Sequence, residues 1–144
     1  MAKSKKYYTL AEVNKMIPQL EEAFRRILQM HVQIQLLCQR LDAAGYLPEG
    51  EEIEIDPKGA APEIIHDLAS VKLLIIEINE QLKKINEMGC IIKDVEIGLV
   101  DWYAKDEEGK EVFLCWQLGE KSVNYWHEVD AGFKERKPIA ELQH

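Results

Sequence analysis

The sequence predicts an α+β chain: a long antiparallel helical hairpin followed by a small three-stranded antiparallel β-sheet at its C-terminal end. Three observations predict it. Two long stretches place apolar residues at alternating steps of three and four. An acidic stretch punctuated by proline and glycine separates them. After Gly89 the apolar period falls to two. The reading is a single domain over 1–144, with a first helix at 9–45, an acidic loop at 46–61, a second helix at 62–88 and a β unit with its tail at 89–144.

Thr9 and Glu12 form a capping box, in which the hydroxyl caps the amide three residues on and the carboxylate reaches back. Tyr8 and Val13 stand where a hydrophobic staple packs. Leu10, Val13, Ile17, Leu20, Phe24, Ile27, His31, Ile34, Cys38 and Leu41 then form a coiled-coil-like seam, interrupted in character by His31 and Cys38. A histidine at a seam position is more often a satisfied core residue than a ligand. Pro18 removes one backbone hydrogen bond and predicts a kink or a restart. Gly45 is the expected stop.

Glu49, Glu51, Glu52, Glu54 and Asp56 crowd beside Pro48, Gly50, Pro57 and Gly59, which reads as a solvated loop with a short extended piece at Ile53 and Ile55. The second helix opens at Pro62, a residue suited to a first turn. Its seam is Ile64, Leu68, Val71, Ile75, Ile78, Leu82 and Ile85, and Gly89 ends it in a left-handed conformation. At the rise of an α-helix the two helices span roughly 50 Å and roughly 40 Å.

Beside the seams stand Leu28, Met30 and Leu37 on one helix and Ile65, Leu73, Leu74 and Ile76 on the other. One hairpin cannot cover so wide a stripe, and each such side chain left in water forgoes about 1.5–3 kcal/mol. This predicts a homodimer in which two hairpins form a four-helix bundle.

In the β unit, Gly98–Ala104 and Glu111–Leu118 alternate as strands around an Asp106–Lys110 turn, with a third strand expected over Ser122–Trp126. A net charge of −8 argues against nucleic acid, which needs a basic face. No apolar run reaches the ~20 residues of a membrane span. The basic N-terminus lacks an apolar signal core, so the expected location is cytoplasmic. Cys38, Cys90 and Cys115 are far apart and odd in number, which predicts reduced thiols.

Chemistry concentrates in residues 94–130. Gly89-Cys-Ile-Ile-Lys-Asp94, Gly98-Leu-Val-Asp-Trp102, Val112-Phe-Leu-Cys-Trp-Gln-Leu-Gly-Glu120 and Trp126-His-Glu-Val-Asp-Ala-Gly-Phe133, with Arg136 and Pro138, stand out as blocks. Together with Tyr8-Thr-Leu-Ala-Glu-Val-Asn14 and Ile17-Pro18 they resemble a family of short, uncharacterised prokaryotic proteins known only as a domain of unknown function. The resemblance covers nearly the whole chain. Its Leu-Cys-Trp and Trp-His-Glu blocks are specific, whereas its helices are not. The family usually has Phe-Pro where this chain has Trp102-Tyr103, which should shift the exit of that strand. The resemblance implies a shared fold and leaves room for a shared site, and it supplies no activity.

His127, Glu128 and Asp130, with Asp101 or Glu120 from neighbouring strands, offer a nitrogen and oxygen set for a divalent metal ion. In a strand His127 and Glu128 point to opposite faces, and the bland alternative is a histidine bonded to a carboxylate or a backbone oxygen. Trp102, Trp116, Trp126 and Arg136 are candidates for a ligand pocket, or else core. Asp101 lies in an apolar strand and must be paired, with Arg136 as the expected partner; Asp94 either joins it for acid–base work or caps a turn. Cys115 is a weaker candidate, as a nucleophile activated by His127. Glu63-Ile-Ile-His66 occurs once; a dimer supplies it twice, but the further inward glutamates of a di-metal bundle centre are missing from the seams. No phosphate loop and no serine-hydrolase elbow is present. The leading reading is a non-catalytic binding or interaction module, with a further protein partner in view. The alternative is a small metal-binding protein or metal-dependent enzyme centred on His127.

Overall fold

A computed structural model describes residues 5–46 and 59–142. Its elements run α1 (Leu10–Ala43), α2 (Pro62–Glu87), β1 (Ile91–Asp94), β2 (Leu99–Lys105), β3 (Glu111–Gln117), β4 (Tyr125–Glu128) and β5 (Lys137–Pro138). The expected extended piece at Ile53 and Ile55 lies outside the described residues. No helix among those described is long and apolar enough to cross a membrane. The chain divides into two compact units, one of residues 1–24 and 83–144 and the other of residues 25–82.

In the first unit the Thr9 amide donates to Glu12 Oε1 at 2.9 Å and the Glu12 amide to Thr9 Oγ1 at 3.2 Å, so the capping box starts α1 as expected. The helix runs through Pro18, whose ring lies on the exposed side. Val13, Ile17, Leu20 and Phe24 are all buried, and Phe24 meets Trp116 with ring centroids 6.4 Å apart.

The sheet has five antiparallel strands in sequence order, two more than the sequence suggested. β1 escapes notice because it follows the helix stop directly and has only four residues, themselves broken by a bulge between Ile92 and Asp94. β5 is two residues long and contains a proline. The third expected strand, Ser122–Trp126, is displaced to Tyr125–Glu128. Its displacement has a local cause: the Val123 amide donates to the side chain of Asn14 at 2.7 Å instead of joining a ladder.

Register divides the residues of β2, β3 and β4 between two faces. Val100, Trp102, Val112, Leu114, Trp116 and Trp126 share one face, with Leu114 opposite both Trp102 and Trp126. Asp101, Tyr103, Phe113, Cys115, Tyr125 and His127 share the other. Both faces are buried along the middle of β2 and β3, which is unusual for an antiparallel sheet and places a polar trio in the interior.

Two glycines are required here. Gly89 has φ +90°, and a Cβ there would lie 1.8 Å from the Tyr8 hydroxyl oxygen. Gly98 has φ +66°, and a Cβ there would lie 2.6 Å from Leu118 Cβ.

The second unit is helical. Leu41, Leu68 and Val71 form its buried cluster, with Ile34, Leu37, Cys38, Tyr46 and Ile64 packed around them. Arg40 Nε donates to Asp67 Oδ2 at 3.1 Å and its terminal nitrogen to Oδ1, a bidentate pair whose carboxylate is buried. Two seam residues depart from expectation. His31 is exposed rather than a core histidine, and Ile75 keeps 38 % of its surface accessible.

Candidate functional site

The site lies on the second sheet face. A turn centred on Glu108 pairs β2 with β3 so that Asp101 stands directly opposite Cys115. Asp106 Oδ1 fixes that turn by accepting from the amides of Glu108 at 3.0 Å and Lys110 at 2.8 Å. β4 then sets His127 opposite Phe113, whose ring centroid lies 5.4 Å from that of the imidazole.

His127 Nε2 is 3.0 Å from Asp101 Oδ2, with both side chains almost fully buried. His127 Nδ1 is 2.8 Å from the backbone oxygen of Glu128. A carbonyl oxygen only accepts, so Nδ1 carries a hydrogen. The lone pair or second hydrogen of the ring therefore faces the carboxylate. Asp101 Oδ1 is buried with no hydrogen-bond partner among the described residues. The Cys115 thiol completes the group: one ligand atom each from Asp101, Cys115 and His127 lie within 4.8 Å of one another. Burial pushes the Cys115 thiol well above its usual range, and the Asp101 carboxylate beside it pushes it further.

This geometry corrects one expectation. Asp101 pairs with His127, not with Arg136. Arg136 instead donates to both oxygens of Glu120, at 2.8 and 2.6 Å, and its guanidinium carbon stacks 4.0 Å from the Tyr125 ring and 4.8 Å from Phe133. Arg136 Nε is buried and without a partner among the described residues. For the weaker Cys115 nucleophile reading, both nitrogens of His127 face oxygens, and burial raises the thiol, which works against thiolate formation.

Of the metal candidates, the fold brings together Asp101 and His127 and adds Cys115 to them. Glu120 is committed to Arg136 and to the Gln117 amide, which donates to Oε1 at 2.7 Å. Glu128 is partly exposed, 3.7 Å from Lys110 Nζ and 3.8 Å from Lys137 Nζ, and Asp130 is exposed. The three tryptophans lie on the opposite sheet face as core. Trp116 Nε1 donates to the Glu120 carbonyl at 2.9 Å and Trp126 Nε1 to the Pro138 carbonyl at 3.2 Å, whereas Trp102 Nε1 has no partner among the described residues. Asp94 caps a turn, its Oδ1 accepting from the Glu96 amide at 3.0 Å.

Fold and site together define a small α+β protein whose antiparallel sheet buries an Asp–Cys–His trio. The chain belongs to the family described as an uncharacterized conserved protein, DUF2203, which matches residues 6–139. No curated protein and no solved structure gives a significant match.

Proposed function

We propose that the protein is a non-catalytic interaction module that pairs with a second copy of itself through the open face of its helical unit. The observation that carries this reading is where apolar surface remains uncovered. Five of the eight large apolar side chains exposed among the described residues lie within residues 25–82: Val32, Leu36, Leu73, Ile75 and Ile76. Leu36 and Leu73 remain 57 % and 63 % accessible, and with Leu37 and Leu74 they line one groove of about 510 Å³. Val32 lies one turn before Leu36, and Ile76 one turn after Leu73, so each extends the groove along its own helix. Exposed apolar side chains gathered at one groove, here beside Gln33, Arg40, His66, Asp67 and Ser70, are what an interaction site offers. A helical pair meeting its own copy closes both stripes at once, as a four-helix bundle.

Native mass spectrometry and light scattering test the reading. The expected result is a dimer for the natural chain and a monomer of unchanged helicity for Leu36→Glu with Leu73→Glu. A natural chain that stays monomeric at concentrations on the order of 100 μM overturns it.

A further inference from the structure

We infer that Asp101, Cys115 and His127 are the protein ligands of a divalent cation of borderline softness, with zinc the best match. This site is independent of the helical face described above.

Three features converge on it. The first is ligand chemistry. One carboxylate oxygen, one thiol sulfur and one imidazole nitrogen are a mixed set that zinc accepts. Metal–ligand bonds of about 2.0–2.3 Å in tetrahedral geometry place ligand atoms about 3.3–3.7 Å apart. The three atoms all lie within 4.8 Å of one another, and Nε2 and Oδ2 stand at 3.0 Å. Closure on an ion is thus a matter of small side-chain adjustments.

The second is orientation. The Glu128 carbonyl holds a hydrogen on Nδ1 and aims Nε2 at Asp101. A ligating histidine whose other nitrogen donates to a backbone carbonyl is the usual support for a metal bond, because it fixes both tautomer and ring plane. Something positive must stand between an Nε2 lone pair and a carboxylate, either a proton or a metal ion.

The third is charge. Without metal, a thiol and a single proton shared across the Nε2–Oδ2 contact leave the trio with no net charge. A divalent cation replaces two protons, one from Cys115 sulfur and one from the His127–Asp101 contact. The product is a thiolate, a carboxylate and a neutral imidazole around a doubly charged ion, again with no net charge. Burial penalises net charge, and this exchange introduces none. Asp101 Oδ1, buried and unpartnered, is the oxygen left over to take a second bond to the ion or to a water on it. The same two-for-two exchange is not offered by Glu120, which already neutralises Arg136.

Because the trio is buried, metal enters as the chain folds, so the probe must be present during expression. The test is metal content and absorption of chain produced in medium supplemented with zinc or with cobalt and purified without chelator. The expected result is one ion per chain, and for cobalt a thiolate-to-metal charge-transfer band. Asp101→Asn and His127→Gln should lose the ion. Cys115→Ser, which is conservative in size, should keep its fold and lose the charge-transfer band, while Cys38→Ser and Cys90→Ser keep it. A folded natural chain without stoichiometric metal overturns the inference, and so does a charge-transfer band that survives Cys115→Ser.

Discussion

His127 Nε2 meets Asp101 Oδ2 at 3.0 Å inside the sheet, with neither side chain more than 4 % exposed. In metal-free protein a buried pair of this kind is costly to break, because the survivor keeps its polarity without its partner. Asp101→Leu and His127→Phe are each expected to cost about 3–5 kcal/mol, measured by urea unfolding with chelator present. The double variant leaves no orphan, so its cost should fall well below the sum of the two. Additive costs would show that the two residues do not act as a pair.

Gly89 does two things at once. It ends α2 with φ +90° and makes room for Tyr8, whose hydroxyl would stand 1.8 Å from an added Cβ. Gly89→Ala should cost about 1–2 kcal/mol from backbone conformation alone, and more from displacing Tyr8. In a Tyr8→Ala background the same substitution should cost only the backbone part. Equal costs in both backgrounds, by urea midpoint, would remove the packing argument.

The helices were legible because a three-and-four repeat has one physical meaning, and the capping box and Gly89 stated their limits. The repeat could not show that His31 and Ile75 are left uncovered within the chain itself, since periodicity ranks faces without saying what covers them. The short outer strands were hidden for lack of length. The Asp101–Cys115 juxtaposition did carry a signal: a turn symmetric about Glu108 pairs those two residues by register alone. The preference of Asp101 for His127 over Arg136 had none, because it depends on β4 beginning at Tyr125, which in turn depends on Asn14 capturing the Val123 amide from the first helix.

Glu111 ties the N-terminal segment to β3. Tyr7 donates its hydroxyl at 2.6 Å, Lys5 Nζ lies 3.3 Å away, and the carboxyl is held below its usual range, first by the tyrosine and then by the lysine. A carboxyl depressed on folding adds stability above its unfolded pKa and loses it as pH falls through the folded value. The natural chain should therefore lose stability faster than Glu111→Gln between about pH 5 and about pH 3. Parallel urea midpoints for the two across that range would show that Glu111 has no part in the acid response.

The three cysteines should differ in reactivity for reasons of burial. Cys38 is half-buried, and Cys90 and Cys115 are buried. The Cys90 thiol, whose sulfur lies 3.3 Å from the Ile85 carbonyl, is pushed up to about 12 by burial, and the Cys115 thiol is pushed up as well, first by burial and then by Asp101. A thiolate is the reactive form, so burial works against reaction at both residues in metal-free protein. Alkylation of the metal-free native chain, read by peptide mass spectrometry, should mark Cys38 first and reach the other two only with global unfolding. Substitution of Asp101 removes the second cause at Cys115 but not the first, so Asp101→Asn should leave Cys115 protected wherever the fold persists. If Cys115 were labelled as fast as Cys38 in the natural chain, the sheet face that holds the trio would have to open without unfolding.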